Sequence, residues 1–208
     1  MQLLEGELGV CNVEQLPESA PSMLLYDTLT NGAGFCAKIA DNPIPFFEEI
    51  THGRLWNIFS ESPHGKGASS CQTSCPKCIA NHSNHPYHPI LDWRLGIDFI
   101  RVMMDAGADL GSSGSGEYYD MWSNGIASNA LDALCFAGVG YESMGDEISH
   151  PCAVNHDAKN IVVVVHPLWN SNVPVLLKVR DEISSLLPGY HVLLADTFNL
   201  IRRPHWCL

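Results

Sequence analysis

Three cysteines, Cys71, Cys75 and Cys78, stand within eight residues in a CxxxCxxC pattern, and a histidine-rich run follows them. Thiolate sulfur and imidazole nitrogen are the ligands that Zn²⁺ takes in structural sites, where four of them surround the ion tetrahedrally. Thiols this close in sequence can converge on one point, so the pattern predicts that the three cysteines bind zinc. The alternative is a loop of unligated thiols, which would be open to oxidation.

A closed zinc site needs a fourth ligand, and His88 is our prediction. It lies ten residues after Cys78, directly before a predicted helix, so ligation there would tie the metal loop to that helix. A site with four protein ligands has no open position for water, and we therefore expect it to be structural and not catalytic. The competing candidates for the fourth position are His64, His82, His85 and Cys36.

The charge balance limits what the chain can bind by itself. It carries 11 Lys and Arg against 23 Asp and Glu, a formal net charge of -12. Proteins that bind nucleic acid alone present a basic surface to the phosphates, so we expect any contact with DNA to be made through a complex whose partner supplies the positive charge. Arg202 and Arg203 are the one adjacent basic pair of the second half. They are candidates for a nucleic-acid contact, and neutralising the acidic surface is their alternative role.

The sequence also predicts where the protein resides. The longest apolar run, 160–168, fits a strand and is too short for a membrane helix. The first residues lack the basic start and apolar core of a signal peptide. Eight cysteines would suggest disulfides in a secreted chain, but with a CxxxCxxC cluster they are better explained as metal ligands and reduced thiols. We therefore expect a cytoplasmic protein.

Apolar spacing and turn residues predict the elements of the first half. Residues 1–22 have no regular pattern and are expected to form an irregular lead-in. A strand over 23–28 is followed by a tight turn over 31–34, where glycine permits positive φ. The other predicted elements are a helix beginning over 35–40 and stopped near Pro43 and Pro45, a helix over 46–59, a metal loop over 61–89 and an amphipathic helix over 90–106.

The second half shows a strand–helix–strand order. Five consecutive β-branched residues over 161–165 predict a buried strand. A Gly- and Ser-rich run over 111–116 is expected to be a linker or a mobile loop. The other predicted elements are helices over 118–137 and 173–187 and a strand over 190–195.

These elements predict an α/β fold in three parts. A zinc-binding domain is expected over 1–107, a Gly/Ser linker over 108–116 and a small α/β module over 117–208.

Three segments of the first half, taken in order, resemble a known family. They are Leu25-Tyr26-Asp27-Thr28 with Asn31-Gly32-Ala33-Gly34-Phe35, the cysteine segment 71–78, and Asn84-His85-Pro86-Tyr87-His88-Pro89-Ile90-Leu91-Asp92-Trp93-Arg94. Together they resemble the MZB zinc-binding domain. That domain lies C-terminal to the motor of MrfA-type DEAD/DEAH-box DNA helicases and occurs in anti-phage proteins such as those of the DISARM system. The resemblance covers roughly residues 20–106.

The resemblance implies a structural zinc site and a role in coupling a motor to DNA or to a nuclease. Family members usually have a further cysteine two residues before Cys71, where this chain has Ser69, and this departure favours His88 as the replacement ligand. The chain lacks the GxxxxGK[ST] and Asp-Glu-x-His/Asp motifs of ATP-hydrolysing motors. We therefore expect a non-catalytic accessory subunit or C-terminal part of a superfamily-2 helicase system in anti-phage defence, with the motor as its partner.

A metal-dependent nuclease in the second half is the alternative function. Such enzymes gather carboxylates and a lysine around Mg²⁺. Asp157 and Lys159 have a suitable D-x-K spacing, but the polar run around them is better explained as a hairpin turn between two strands. The module could then be a degenerate nuclease-like fold. The available groups are Glu117, Asp120, Glu142, Asp146, Glu147, Asp157 and Lys159.

A general base is a further possibility in the second half. His166 could act as the base with Asp196 as its partner, since each stands at the end of a predicted strand, where α/β enzymes often place active-site residues. The alternative, which we favour, is that both residues cap strands and pack with Trp169 and Trp206. No catalytic residue is therefore predicted.

Overall fold

The computed structural model describes residues 8–12, 23–28, 32, 34–53, 71, 73–76 and 78–208. The chain forms two compact units, Met1–Ser60 and Glu61–Leu208. This division lies well before the boundary that the sequence analysis placed at residues 108–116. The metal loop therefore shares one unit with the α/β module.

The first unit contains a two-stranded antiparallel sheet. Strand β1, Leu8–Asn12, pairs with β2, Met23–Asp27. The prediction of an irregular lead-in is wrong for residues 8–12. A short strand held by pairing with a distant segment leaves little periodic signal of its own, which is why the sequence pattern missed it. The predicted strand over 23–28 is confirmed.

Two helices follow in the first unit. Gly32 and Gly34 have φ of +69° and +73°, as expected for the predicted turn. Helix α1, Phe35–Asp41, is capped by Asp27, whose Oδ1 accepts from the backbone N–H of Phe35 at 3.1 Å. Helix α2 spans Pro43–Thr51. Pro43 begins this helix, because the first turn tolerates a residue without a backbone N–H. Residues 54–59 of the predicted helix lie outside the described residues.

The second unit is built around a four-stranded mixed sheet in the order β3-β4-β5-β6. The first three strands are antiparallel neighbours, and β6 runs parallel to β5. Every residue from Ile161 to Val165 in the central strand is buried, as predicted from its β-branched run. The strands are β3 Glu142–Ser143, β4 Cys152–Asn155, β5 Asn160–Val165 and β6 His191–Asp196.

Helices cover this sheet and carry the metal loop. Helix α3, Trp93–Met104, begins three residues later than predicted, because Pro86 and Pro89 lie in a preceding 3-10 segment, His82–Ile90. Asp92 caps α3, and its carboxylate accepts from the N–H of Leu95 at 3.1 Å. The helices of this unit are α3 Trp93–Met104, α4 Glu117–Trp122, a π-helical turn Ser123–Ala127, α5 Ser128–Ala137, α6 Pro174–Leu186 and α7 Thr197–Arg202, with a last 3-10 turn at Pro204–Cys207.

The segment predicted as a linker packs instead against the helices and strands of the second unit. Leu110 is buried, and its carbonyl accepts from Nε1 of Trp169 at 3.0 Å. The N–H of Val175 donates to the carbonyl of Ser112 at 3.0 Å. Gly114 has φ of +77°, and a Cβ added there would stand 2.7 Å from the side chain of Val175. Gly114 therefore allows this segment to pack closely against Val175.

No helix in the described part of the chain is long and apolar enough to cross a membrane.

Candidate metal centre

The three predicted cysteines meet at one point. The sulfurs of Cys71, Cys75 and Cys78 all lie within 4.8 Å of one another. The sulfurs of Cys71 and Cys78 are 3.8 Å apart. Two thiolates bound to one tetrahedral zinc at about 2.3 Å would also be about 3.8 Å apart. The cluster therefore has the spacing of zinc ligands and lacks the covalent S–S geometry of a disulfide.

A tight turn presents two of these sulfurs. The N–H of Cys78 donates to the carbonyl of Cys75 at 3.0 Å, and the N–H of Ala80 donates to the same carbonyl at 3.2 Å. The N–H of Cys75 points at the sulfur of Cys78, 3.0 Å away. The CxxC half of the motif thus folds into a loop suited to a cation.

Helix α3 anchors the other end of the cluster. The carbonyl of Cys71 accepts from Nε1 of Trp93 at 3.3 Å and from the guanidinium of Arg94 at 2.7 Å. The N–H of Trp93 donates to the carbonyl of Thr73 at 2.9 Å, and its indole is buried. The first turn of α3 therefore fixes the backbone of the metal loop. Sequence analysis quoted Trp93 and Arg94 only as part of the family resemblance and assigned them no role.

The electrostatics of the cluster also favour a cation. Burial, followed by the neighbouring thiols of Cys78 and Cys75, raises the pKa of Cys71 to about 12. Three crowded sulfurs cannot all ionise without a positive charge among them, and a bound dication supplies that charge. Arg94 adds a partly buried positive charge beside Cys71. Burial lowers the pKa of Arg94, and the negative partners Asp92 and Cys71 oppose that shift.

His88 is not part of the cysteine cluster. Its Nε2 lies 2.9 Å from the carbonyl oxygen of Asn81 and 3.0 Å from Oδ1 of Asn84. Both partners accept hydrogen bonds, so Nε2 carries the proton and Nδ1 holds the lone pair. Metal-bound histidines commonly donate their second N–H in this way. Ligation by His88 would therefore use Nδ1, and His88 is not among the ligand atoms that already lie within 4.8 Å of one another.

The other candidates for the fourth zinc ligand lie in several different parts of the chain. His82 and His85 are exposed in the 3-10 segment, and the ring of His85 lies 5.0 Å from that of His88. Cys36 belongs to helix α1 of the first unit. His64 and Ser69 lie outside the described residues.

A buried polar network links α3 to the sheet. Asp98, on α3, accepts from the hydroxyl of Tyr118 at 2.5 Å and from the guanidinium of Arg101 at 3.2 Å. Its Oδ2 also lies 3.3 Å from Nε2 of His166. The N–H of Leu168 donates to Nδ1 of His166 at 3.2 Å, so Nε2 of the neutral ring carries the proton that Asp98 accepts. The network is a structural clasp between the helix and the end of β5.

The suggested pairing of His166 with Asp196 is wrong. Asp196 caps helix α7, where its carboxylate accepts from the backbone N–H of Asn199 at 2.9 Å and from the side-chain amide of Asn199 at 2.7 Å. The partner of His166 is Asp98, which lies 68 residues earlier in the chain. Asp196 stands at the end of β6, as predicted, but it caps the helix that follows and not the strand.

The guanidinium of Arg202 is bonded to other parts of the second unit and is mostly buried. Its guanidinium donates to the carbonyls of Pro89 at 2.8 Å and Leu91 at 3.1 Å, and it lies 3.6 Å from the carboxylate of Asp92. These bonds fasten the C-terminal helix to the segment that leads into α3. The nucleic-acid contact that the sequence suggested for Arg202 stays a prediction. Arg203 is exposed and stacks over the ring of Trp206 at 4.8 Å.

Among the residues that the structure describes, the groups expected of a nuclease do not form a three-ligand metal cluster. Asp157 and Lys159 lie in the exposed turn between β4 and β5, and Lys159 has φ of +53°. The predicted hairpin turn is therefore confirmed, and neither residue lies on a strand. Across the part of the chain that the structure describes, the cysteine cluster is the one set of three or more His, Cys, Asp or Glu ligand atoms within 4.8 Å. The side chain of Asp146 lies outside that part.

Comparison of the chain with protein-family models, with curated proteins and with solved structures found no match. The resemblance to the MZB domain rests on the sequence segments quoted above.

Proposed function

We propose that Cys71, Cys75 and Cys78 hold one structural Zn²⁺ ion and that Nδ1 of His88 completes its coordination. The observation that carries this proposal is the 3.8 Å separation of the Cys71 and Cys78 sulfurs, which matches two ligands of one tetrahedral zinc. With four protein ligands the ion would have no open position for substrate. The free energy of zinc binding would stabilise the folded form of the loop.

Zinc would act on the fold through helix α3. The loop is bonded to the first turn of α3 through Trp93 and Arg94, and the next turn of the same helix carries Asp98, which is bonded to Tyr118 and His166. A metal that orders the loop therefore stabilises the start of a helix that is already joined to the α/β layer. The site would hold the second unit together as a rigid interaction module.

The biological role that we propose is a non-catalytic accessory subunit of a superfamily-2 DNA helicase system in anti-phage defence. The family resemblance supports this role, because MZB domains follow helicase motors. The net charge of -12 supports a partner-mediated contact with DNA. Within the described residues, the placement of Asp157, Lys159, His166 and Asp196 gives no support to a catalytic site.

Reconstitution tests the role directly. The purified chain would be combined with a candidate superfamily-2 helicase motor, and ATP hydrolysis and DNA unwinding would be compared with and without the chain. The proposal predicts no ATPase activity from the chain alone, and a change in DNA-stimulated ATPase activity when it joins the motor. Robust ATP hydrolysis by the purified chain alone would contradict the proposed role. So would a DNA-stimulated ATPase activity of the motor that does not change when the chain is added.

A further inference from the structure

One half-buried side chain, that of Asn84, joins the cysteine turn to His88. Its Nδ2 donates to the carbonyl of Ile79, the residue after Cys78, at 2.7 Å. Its Oδ1 accepts from the N–H of Asn81 at 2.8 Å and from Nε2 of His88 at 3.0 Å. The amide therefore reaches both the backbone beside one proposed zinc ligand and the ring of another.

The bonding partners fix the orientation of the Asn84 amide. A carbonyl only accepts, so the group that faces the Ile79 carbonyl is the amide nitrogen. A backbone N–H only donates, so the group that faces the N–H of Asn81 is the amide oxygen. That oxygen can only accept from His88, and the carbonyl of Asn81, 2.9 Å from the same ring nitrogen, can only accept as well. Both contacts therefore require the proton of the neutral ring to be on Nε2.

Capping of the 3-10 segment His82–Ile90 does not account for the contact with histidine. Asn81 and Asn84 form a capping box, in which the N–H of Asn84 donates to Oδ1 of Asn81 at 3.1 Å in return. This box satisfies backbone donors at the start of the segment. The bond to His88, four residues further on, is additional. Asn84 and His88 are also the two half-buried residues of this segment, whose other residues are exposed.

We propose that Asn84 is a positioning residue of the zinc site and that it acts through His88. It holds the imidazole in the tautomer whose Nδ1 is free to bind zinc, and it ties that ring to the turn that carries Cys75 and Cys78. Metal-bound histidines commonly donate their second ring N–H to a fixed oxygen, and loss of that oxygen typically weakens metal binding by about 10- to 100-fold. The role of Asn84 rests on the proposed ligation by His88.

Zinc affinities in a double-mutant cycle test whether Asn84 acts through His88. Competition with a chelator that changes colour on binding zinc would compare the wild type with Asn84→Ala, His88→Ala and the double variant. Asn84→Ala should weaken zinc affinity by about 10-fold or more. The double variant should bind zinc no more weakly than His88→Ala, because Asn84 then has no ring to position. The matched control is Ser83→Ala, which removes a 2.6 Å bond to Oδ1 of Asn81 in the same segment and should keep the wild-type affinity.

Heteronuclear NMR of the imidazole nitrogens gives a readout that a merely structural role of Asn84 would not change. In the zinc-loaded wild type, the ring of His88 should carry its proton on Nε2. Asn84→Ala should also populate the ring form with the proton on Nδ1. Asn84→Asp should restore the Nε2–H form, because a carboxylate accepts the same hydrogen bond. Circular dichroism equal to that of the wild type would show that each variant is folded.

The results separate the role of Asn84 from the ligation by His88. Full zinc affinity in His88→Ala would remove the fourth-ligand assignment, and the role of Asn84 with it. Weakened zinc binding in His88→Ala, together with an Asn84→Ala affinity equal to that of the Ser83→Ala control, would overturn the role of Asn84 alone. Affinity losses that add in the double variant, or a wild-type His88 ring with its proton on Nδ1, would also overturn it.

Discussion

The carboxylate of Asp98 lies 3.3 Å from Nε2 of His166, and only 3% and 4% of these two residues are exposed. Asp98 also accepts from Tyr118 and Arg101. One buried carboxylate therefore satisfies three donors that come from α3, α4 and the end of β5. This clasp joins the helix that anchors the metal loop to the sheet.

Replacing the Asp98 carboxylate should destabilise the second unit. Asp98→Asn removes the negative charge opposite Arg101 and leaves at least one buried donor without an acceptor. We expect the free energy of unfolding to fall by about 3 kcal/mol, as for other broken buried pairs. Urea denaturation followed by circular dichroism measures this change. Asp132→Asn, on the exposed face of α5, is the matched control and should change stability by less than about 0.5 kcal/mol. Equal stability of the two variants would show that the clasp contributes little.

Arg94 should influence zinc binding without being a ligand. Its guanidinium donates to the carbonyl of Cys71 at 2.7 Å and places a positive charge beside the sulfurs. Arg94→Met should therefore weaken zinc affinity by about 10-fold or more, as is typical when a residue that holds a metal ligand in place is replaced. Competition with a chromophoric chelator measures the affinity. Arg180→Met on α6 is the control, and a zinc affinity in Arg94→Met equal to that of the control would show that the bond from Arg94 to the Cys71 carbonyl does not affect zinc binding.

His150 should make stability depend on pH. Burial lowers the pKa of His150, against the opposing effects of the hydrogen bond to the carbonyl of Val164 and of Glu182. The ring is therefore neutral in the folded protein and takes up a proton more readily when the chain unfolds. Stability contributed by this residue is present above the unfolded pKa of about 6.5 and is lost as the pH falls below it.

The urea concentration at the midpoint of unfolding, measured at pH 7.5 and pH 5.5, tests the predicted direction of this pH dependence. The loss of stability between these two pH values should be smaller in His150→Gln than in the wild type. His191→Gln, which changes an exposed histidine of β6, should keep the wild-type loss. A larger loss in His150→Gln would mean that the sign is wrong.

Sequence patterns predicted those parts of the fold that are formed by residues close together in the chain. The CxxxCxxC spacing predicted the sulfur cluster, and the β-branched run over 161–165 predicted the buried strand. The polar run around Asp157 predicted the hairpin turn. Each of these features depends on residues within about ten positions of one another, where turn geometry and side-chain period leave a clear pattern.

The contacts that assemble the second unit were not predictable in the same way. Asp98 and His166 are 68 residues apart, and Arg202 and Leu91 are 111 apart. Nothing in the sequence near Asp98 distinguishes a buried acceptor from an exposed helix carboxylate. Glycine composition was also misleading, since the run at 111–116 suggested flexibility although Gly114 permits close packing against Val175 and Gly111 permits close packing against Tyr119.

Metal content is the most direct test of the central claim, which is that the cysteine cluster holds structural zinc. Mass spectrometry of the purified protein would be compared with Cys75→Ser, His88→Ala and the control His205→Ala. We predict one zinc per chain in the wild type and the control, none in Cys75→Ser, and a reduced amount in His88→Ala. Undiminished zinc in His88→Ala would remove only the fourth-ligand assignment. A wild-type protein without zinc, or full zinc in Cys75→Ser, would contradict the account.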